Sequence, residues 1–230
     1  MFEFTPLEIE ALGLSLRVAV LSVAASLPFG FAVAWLLGRH EFFGKTLLNC
    51  VVHLPLVLPP VVVGYLLLLL LGRQGPLGSW LHATFGISLP FTWEGAALAA
   101  AVMAFPLMVR AMRLSLEAVD RDLETAARTL GASRPSVLVT ITLPLMLPGI
   151  LAGALLAFAR SLGEFGATLT LVSSIPGETL TLPLALYSLI QTPGGEAGAL
   201  RLTVLSVILS LAALVASEVL ARRLRARMSG

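Results

Sequence analysis

The chain has 230 residues, 57% of them hydrophobic and only 12% charged, with a formal net charge of +2 and a mean hydropathy of +0.95. A water-soluble domain carries about 25% charged residues, so this composition excludes a soluble globular protein and requires a bilayer as second apolar phase. Glycine without a triplet period excludes a collagen-like chain, and the lone cysteine, Cys50, excludes a disulfide scaffold; a small buried hydrophobe is its expected role.

The first ten residues carry Glu3, Glu8 and Glu10 but no base. They lack the basic region of a cleaved signal peptide, so the first apolar run is expected to stay in the mature protein. A bilayer core of roughly 30 Å takes about 20 helical residues to cross. Runs at 9–37, 47–71, 95–116 and 141–162 meet that length, and a fifth at 199–220 leads into Arg222, Arg223, Arg225 and Arg227. The apolar stretch 179–192, interrupted by Pro183, is short for a span and reads as a re-entrant or interfacial segment on the outer side. The expectation is an all-α polytopic membrane protein of about five transmembrane helices, one domain over 1–230.

Five crossings put the termini on opposite sides, and the positive-inside rule assigns them. With the C-terminus inside, Arg39, Lys45, Arg110, Arg113, Arg121, Arg128, Arg134 and the four tail arginines fall on the cytoplasmic side, eleven of fifteen basic residues. Arg17, Arg73, Arg160 and Arg201 remain in or near the outer side, and the acidic N-terminus faces out. Trp80, Phe91 and Trp93 form an outer aromatic belt, with Trp35 near the inner end of the first span. Prolines 28, 55, 59, 60, 106, 144 and 148 kink the spans, and Gly149, Gly153 and Ala157 form a ridge of small residues suited to close helix contact.

The residues of enzyme chemistry are missing. His40, His53 and His82 lie in different segments without ligand spacing, and no HExxH or GxSxG pattern occurs. Gly44-Lys45-Thr46 imitates the end of a P-loop, but Arg39 stands where its first glycine belongs. The arginines cluster at the ends of apolar runs rather than in a stripe, which argues against nucleic acid. No cofactor or metal is expected.

The longest polar stretch is the loop 117–140, and it has helical signals. Asp120 and Asp122 are good starters, Leu123, Ala126, Ala127 and Leu130 repeat at helical spacing, Gly131 supplies a stop, and Pro135 fits the first turn of a following helix. The apolar face is too small and alanine-rich for a membrane anchor. It suits a groove on a soluble partner.

The run Ala126-Ala127, three residues, Gly131, nine residues, then Ile141, Leu143 and Pro144 resembles the E-A-A-x3-G-x9-I-x-L-P loop of binding-protein-dependent ABC importer permeases. The glutamate of that pattern is replaced by Thr125, with Glu124 one residue earlier. The segments HLPLVLPPVVVGY (53–65), AFPLMVRA (104–111), FARSLGEFGAT (158–168) and IPGETLTLPLALYSLIQTPGG (175–195) narrow the resemblance to the molybdate permease group. It implies the type I ABC importer fold in a bacterial inner membrane, a second copy of the chain, a pair of cytoplasmic ATP-binding subunits and a periplasmic molybdate-binding protein. Ala126, Ala127, Leu130, Gly131 and Glu124 then form the ATPase-coupling segment. Arg17, Arg160 and Glu164 are charges within spans, candidates for the pathway or for structural pairs, with Arg160 and Glu164 spaced to pair on one helix face. A sulfate or tungstate permease and a passive anion channel are the alternatives. With nothing after Gly230, feedback at an appended cytoplasmic domain is not expected.

Overall fold

The computed structural model describes residues 5–228. Glu3 and the side chains of Arg222, Arg223, Arg225 and Arg227 lie outside the described residues. The first helix, α1 (Pro6–Arg39), begins at a capping box: Thr5 Oγ1 accepts the Glu8 N–H at 3.3 Å, and Glu8 Oε2 accepts the Thr5 N–H at 2.7 Å. Then come α2 (Lys45–Val57), α3 (Pro60–Leu71), α4 (Pro76–Phe85) and α5 (Trp93–Glu117). A polar hairpin, α6 (Arg121–Thr129) and α7 (Arg134–Val137), runs through a π-helical segment (Leu138–Thr142) into α8 (Leu143–Leu162). Two short helices, α9 (Gly166–Val172) and α10 (Leu182–Gln191), precede α11 (Glu196–Met228).

Among the described residues, four helices are long and apolar enough to cross a membrane: α1, α5, the continuous run Arg134–Leu162, and the Glu196–Ala216 part of α11. The span expected at 47–71, with kinks at its prolines, is sharply broken. It is two helices, α2 and α3, bent by 117°. Consecutive prolines cause the break: Pro59 and Pro60 cannot donate, and each pushes the residue before it out of the helical region, with ψ of 144° at Leu58 and 134° at Pro59. The bent pair still carries the chain from end to end of the bundle. Asn49 of α2 meets Arg113 near the end of α5, whereas Gly72 lines one cavity with Thr92 just before α5.

The region expected to be re-entrant at 179–192 holds α10, and α9 before it was not anticipated. Leu182 donates its N–H to Ser15 Oγ of α1 at 2.6 Å, which fixes the start of α10 against the first span. Cys50 is exposed on α2 rather than buried, because α2 is peripheral and has no buried residue.

Helix α5 is the axis. Of its apolar window 61% is buried, against 28% for α1, 22% for the run ending in α8 and 11% for α11. Lipid is as apolar as leucine, so packing between spans depends on close fit rather than on expelling water. The sequence supplies the fit as small residues every fourth position. On α1, Ser22, Ser26, Gly30, Ala34 and Gly38 form one stripe; a Cβ on Gly30 would lie 3.0 Å from Met108 Sδ, and one on Gly38 3.0 Å from Leu116 Cδ2. The Gly149, Gly153 and Ala157 ridge of α8 packs on α5 from another side. A Cβ on Gly149 would collide with Ser115, and one on Gly153 would lie 3.1 Å from the Met108 carbonyl oxygen. Ser22 Oγ donates to the Ala19 carbonyl at 2.9 Å and lies 2.9 Å from Ser161 Oγ, joining α1 to α8 inside the bundle.

Candidate functional site

The polar hairpin forms as its local signals require. Asp120 caps α6 by accepting the Asp122 N–H at 2.9 Å, and Asp122 and Glu124 occupy the first turn, favourable to the helix dipole. At the other end Gly131 has φ of +92°, its N–H donates to the Arg128 carbonyl, and the Ala132 N–H reaches back to the Ala127 carbonyl at 3.0 Å. These bonds form a Schellman closure, which needs the left-handed conformation that glycine adopts at least cost. Ser133 then caps α7, with Pro135 in its first turn.

The two faces of α6 have separate fates. Leu123 and Leu130 are 50% and 89% exposed, Ala126 lies exposed between them, and Ala127 is half-buried. The opposite face, bearing Arg121, Glu124, Thr125 and Arg128, lines a cavity against Trp35 and Arg39 at the end of α1.

Glu124 belongs to that inward face. Its Oε1 pairs with Arg39 Nη2 at 2.7 Å and accepts the Thr142 hydroxyl at 2.7 Å. One carboxylate oxygen thus ties α6 both to the end of α1 and to the π segment at the root of α8. Thr125, at the motif's glutamate position, donates instead to the Arg121 carbonyl of its own helix at 2.9 Å. The sequence reading missed Arg39 and Thr142 as partners. Nothing local signals an ion pair across 85 residues.

The span charges stand apart from this hairpin. Arg17 lies over the Trp93 ring, its guanidinium carbon 3.7 Å from the centroid, at the end of the bundle where α1 and α5 begin. Arg160 Nη1 is 2.6 Å from Glu164 Oε2, and Glu164 Oε1 accepts the Ala167 N–H at 2.9 Å. Helix α8 has already ended at Leu162, so the pair bridges α8 to the first turn of α9, with Glu164 fully enclosed. A second long-range pair, which the sequence reading also missed, joins Arg201 Nη2 of α11 to Glu8 Oε1 of α1 at 2.8 Å.

Comparison with known proteins fits this architecture. The family described as "Binding-protein-dependent transport system inner membrane component" matches residues 26–226. The molybdenum transport system permease protein ModB of Escherichia coli (strain K12) is 64% identical over 220 residues, 96% of each chain. The ModB of Haemophilus influenzae is 59% identical over 96% of this chain and 97% of its own. A sulfate transport system permease protein, CysW of Synechocystis, is more distant at 38% identity over 93% of this chain and 76% of its own. Among solved structures, a bacterial ABC transporter involved in the import of alginate superimposes with a TM-score of 0.76 at 17% identity, over 96% of this chain and 80% of that one. The last match shows the fold, that of the type I ABC importer membrane subunits. With a family match over most of its length and relatives well above half identity, the chain belongs to the inner membrane components of binding-protein-dependent transport systems, and is a multi-pass membrane transport subunit rather than an enzyme.

Proposed function

We propose that this chain is the permease subunit of an ATP-driven molybdate importer, acting by alternating access. The observation that carries the substrate is the 64% identity, over 96% of both chains, to a relative named for molybdenum transport. Two copies of the chain surround the pathway, a pair of cytoplasmic ATPases drives it, and a periplasmic molybdate-binding protein delivers the anion. The N-terminus lies outside and the C-terminus inside, the arrangement favoured by the excess of arginine at the hairpin end and in the tail.

In this reading Leu123, Ala126 and Leu130 seat in a groove of the ATPase, which accounts for apolar side chains left uncovered at the polar end of the bundle. Ala127 sits at the edge of that seat, and Gly131 fixes its length. Glu124 has a different part. Through Arg39 and Thr142 it joins the docked helix to α1 and α8, so movement of the ATPases reaches two spans together. Arg160 and Glu164 act as a clamp between α8 and α9, and Arg17 as an anchor on Trp93, because each already has a close partner. A transit pathway needs weak sites, since a deep one would trap the anion.

The test is uptake of radiolabelled molybdate into proteoliposomes carrying this chain with its ATPase and binding protein. Accumulation that requires ATP and resists excess sulfate is expected. Flux without ATP would make the chain a passive channel, preferential accumulation of sulfate would move it to the more distant branch of relatives, and preferential accumulation of tungstate would make it a permease for that oxyanion.

A further inference from the structure

The cavity behind α6 has a charge balance that docking does not explain. It has a volume of ≈ 300 Å³ and is lined by Arg39, Arg121, Arg128 and Arg134, with Glu124 as its one carboxylate. Guanidinium groups stay protonated, so the wall carries an excess of three positive charges. Arg121, Arg128 and Arg134 are exposed at the rim and make no ion pair among the described residues. Arg39 is different. Its side chain is only 10% exposed, one nitrogen is held by Glu124, and Nε has no hydrogen-bond partner. Unpaired guanidinium groups around one cavity repel one another, and an anion among them is what relieves that repulsion.

We propose that this cavity binds one tetrahedral oxyanion group, a phosphate or a dianion of the same shape, bridging the α6 arginines to the end of α1. Guanidinium forks suit such a group because they present paired N–H donors to two oxygens. The occupant braces the docking helix from behind, beside the Glu124 tether and away from the Leu123 and Leu130 face. Two sources share this chemistry: the headgroup phosphate of an anionic phospholipid and a free oxyanion in the cytoplasm. The inference rests on the functional reading above only for the side on which the cavity opens, and the binding measurement below does not depend on transport.

The experiment uses the full chain assembled with its ATPase in nanodiscs, reading the midpoint of thermal unfolding. In phosphatidylcholine discs, inorganic phosphate, sulfate and molybdate are titrated at constant ionic strength against chloride. A second set of discs contains phosphatidylglycerol and no added oxyanion. A rise of the midpoint in the first set identifies a free oxyanion and a rise confined to the second a lipid headgroup; either supports the site, provided that R121Q/R128Q needs about tenfold more ligand for the same rise. This rim variant is preferred to Arg39→Gln, which also releases Glu124. No rise in either set, or an equal rise in the variant, overturns the proposal. So does a response that the chain alone gives and ATPase binding abolishes, since the arginines would then belong to the ATPase seat. Normal ATP-driven uptake beside any of these failures leaves the transport reading standing.

Discussion

Along the seam between α5 and α8 backbones meet over glycine and alanine, with Ser115 and Met108 filling the space that larger side chains would need. At the α6 hairpin nothing comparable exists: no residue of α6 is buried, and the helix leans on one carboxylate shared between Arg39 and Thr142. The seam is a fit of shapes in a medium where only close fit distinguishes protein from lipid. The hairpin is a polar attachment at the edge of the bilayer, where a few directional bonds can reorient without emptying a core. In the proposed coupling, the packed spans would be moved through this lightly tethered helix.

The sharpest way to break this contrast is to crowd the seam. Gly149→Val should destabilise the chain by about 3 kcal/mol, at the upper end for overpacking, because the new side chain meets Ser115. Thermal unfolding in detergent measures it, and an unchanged midpoint would mean that the seam is loose.

Next comes the tether. Arg39→Ala leaves Glu124, mostly enclosed, without its counter-charge and should cost about 2 kcal/mol. Its larger consequence is functional, with ATP hydrolysis continuing while molybdate uptake falls. A double-mutant cycle with Glu124→Gln isolates the pair, and full additivity would remove it from the coupling route.

Gly131→Ala is smaller, about 1 kcal/mol, because φ of +92° disfavours any side chain. It should appear as faster amide exchange over 126–131 with no change at the seam. Smallest for the fold is Leu130→Ser, within about 0.5 kcal/mol for so exposed a side chain. Association with the ATPase should nevertheless weaken about tenfold, the scale of one lost apolar anchor. Undiminished association would put the docking face elsewhere on the hairpin.

Much of this molecule was legible in one dimension. Apolar runs marked four spans to within a few residues, and Asp120, Gly131 and Pro135 marked the hairpin's start, stop and restart, because capping and backbone conformation depend on near neighbours. The Gly149 ridge was legible for the same reason, and the matching stripe on α1 was present at the same spacing but went unread. In the second span the adjacent prolines at 59 and 60 announced a kink, but its size, 117°, depends on how α2 and α3 pack and was not legible. Arg160 and Glu164 pair as their spacing predicted, yet across the end of α8 rather than along it.

The amino-acid order by itself determined that this chain is a multi-pass membrane protein, where its long apolar helices run, and that one polar hairpin carries a short amphipathic helix. Those properties arise from transfer energies and local geometry, summed over neighbours in the chain. Only the tertiary structure decided which way Glu124 turns, which arginine holds it, that Thr142 shares it, and that four arginines converge on one cavity. Each of these depends on distances between residues far apart in the chain, and such distances are set when the spans pack.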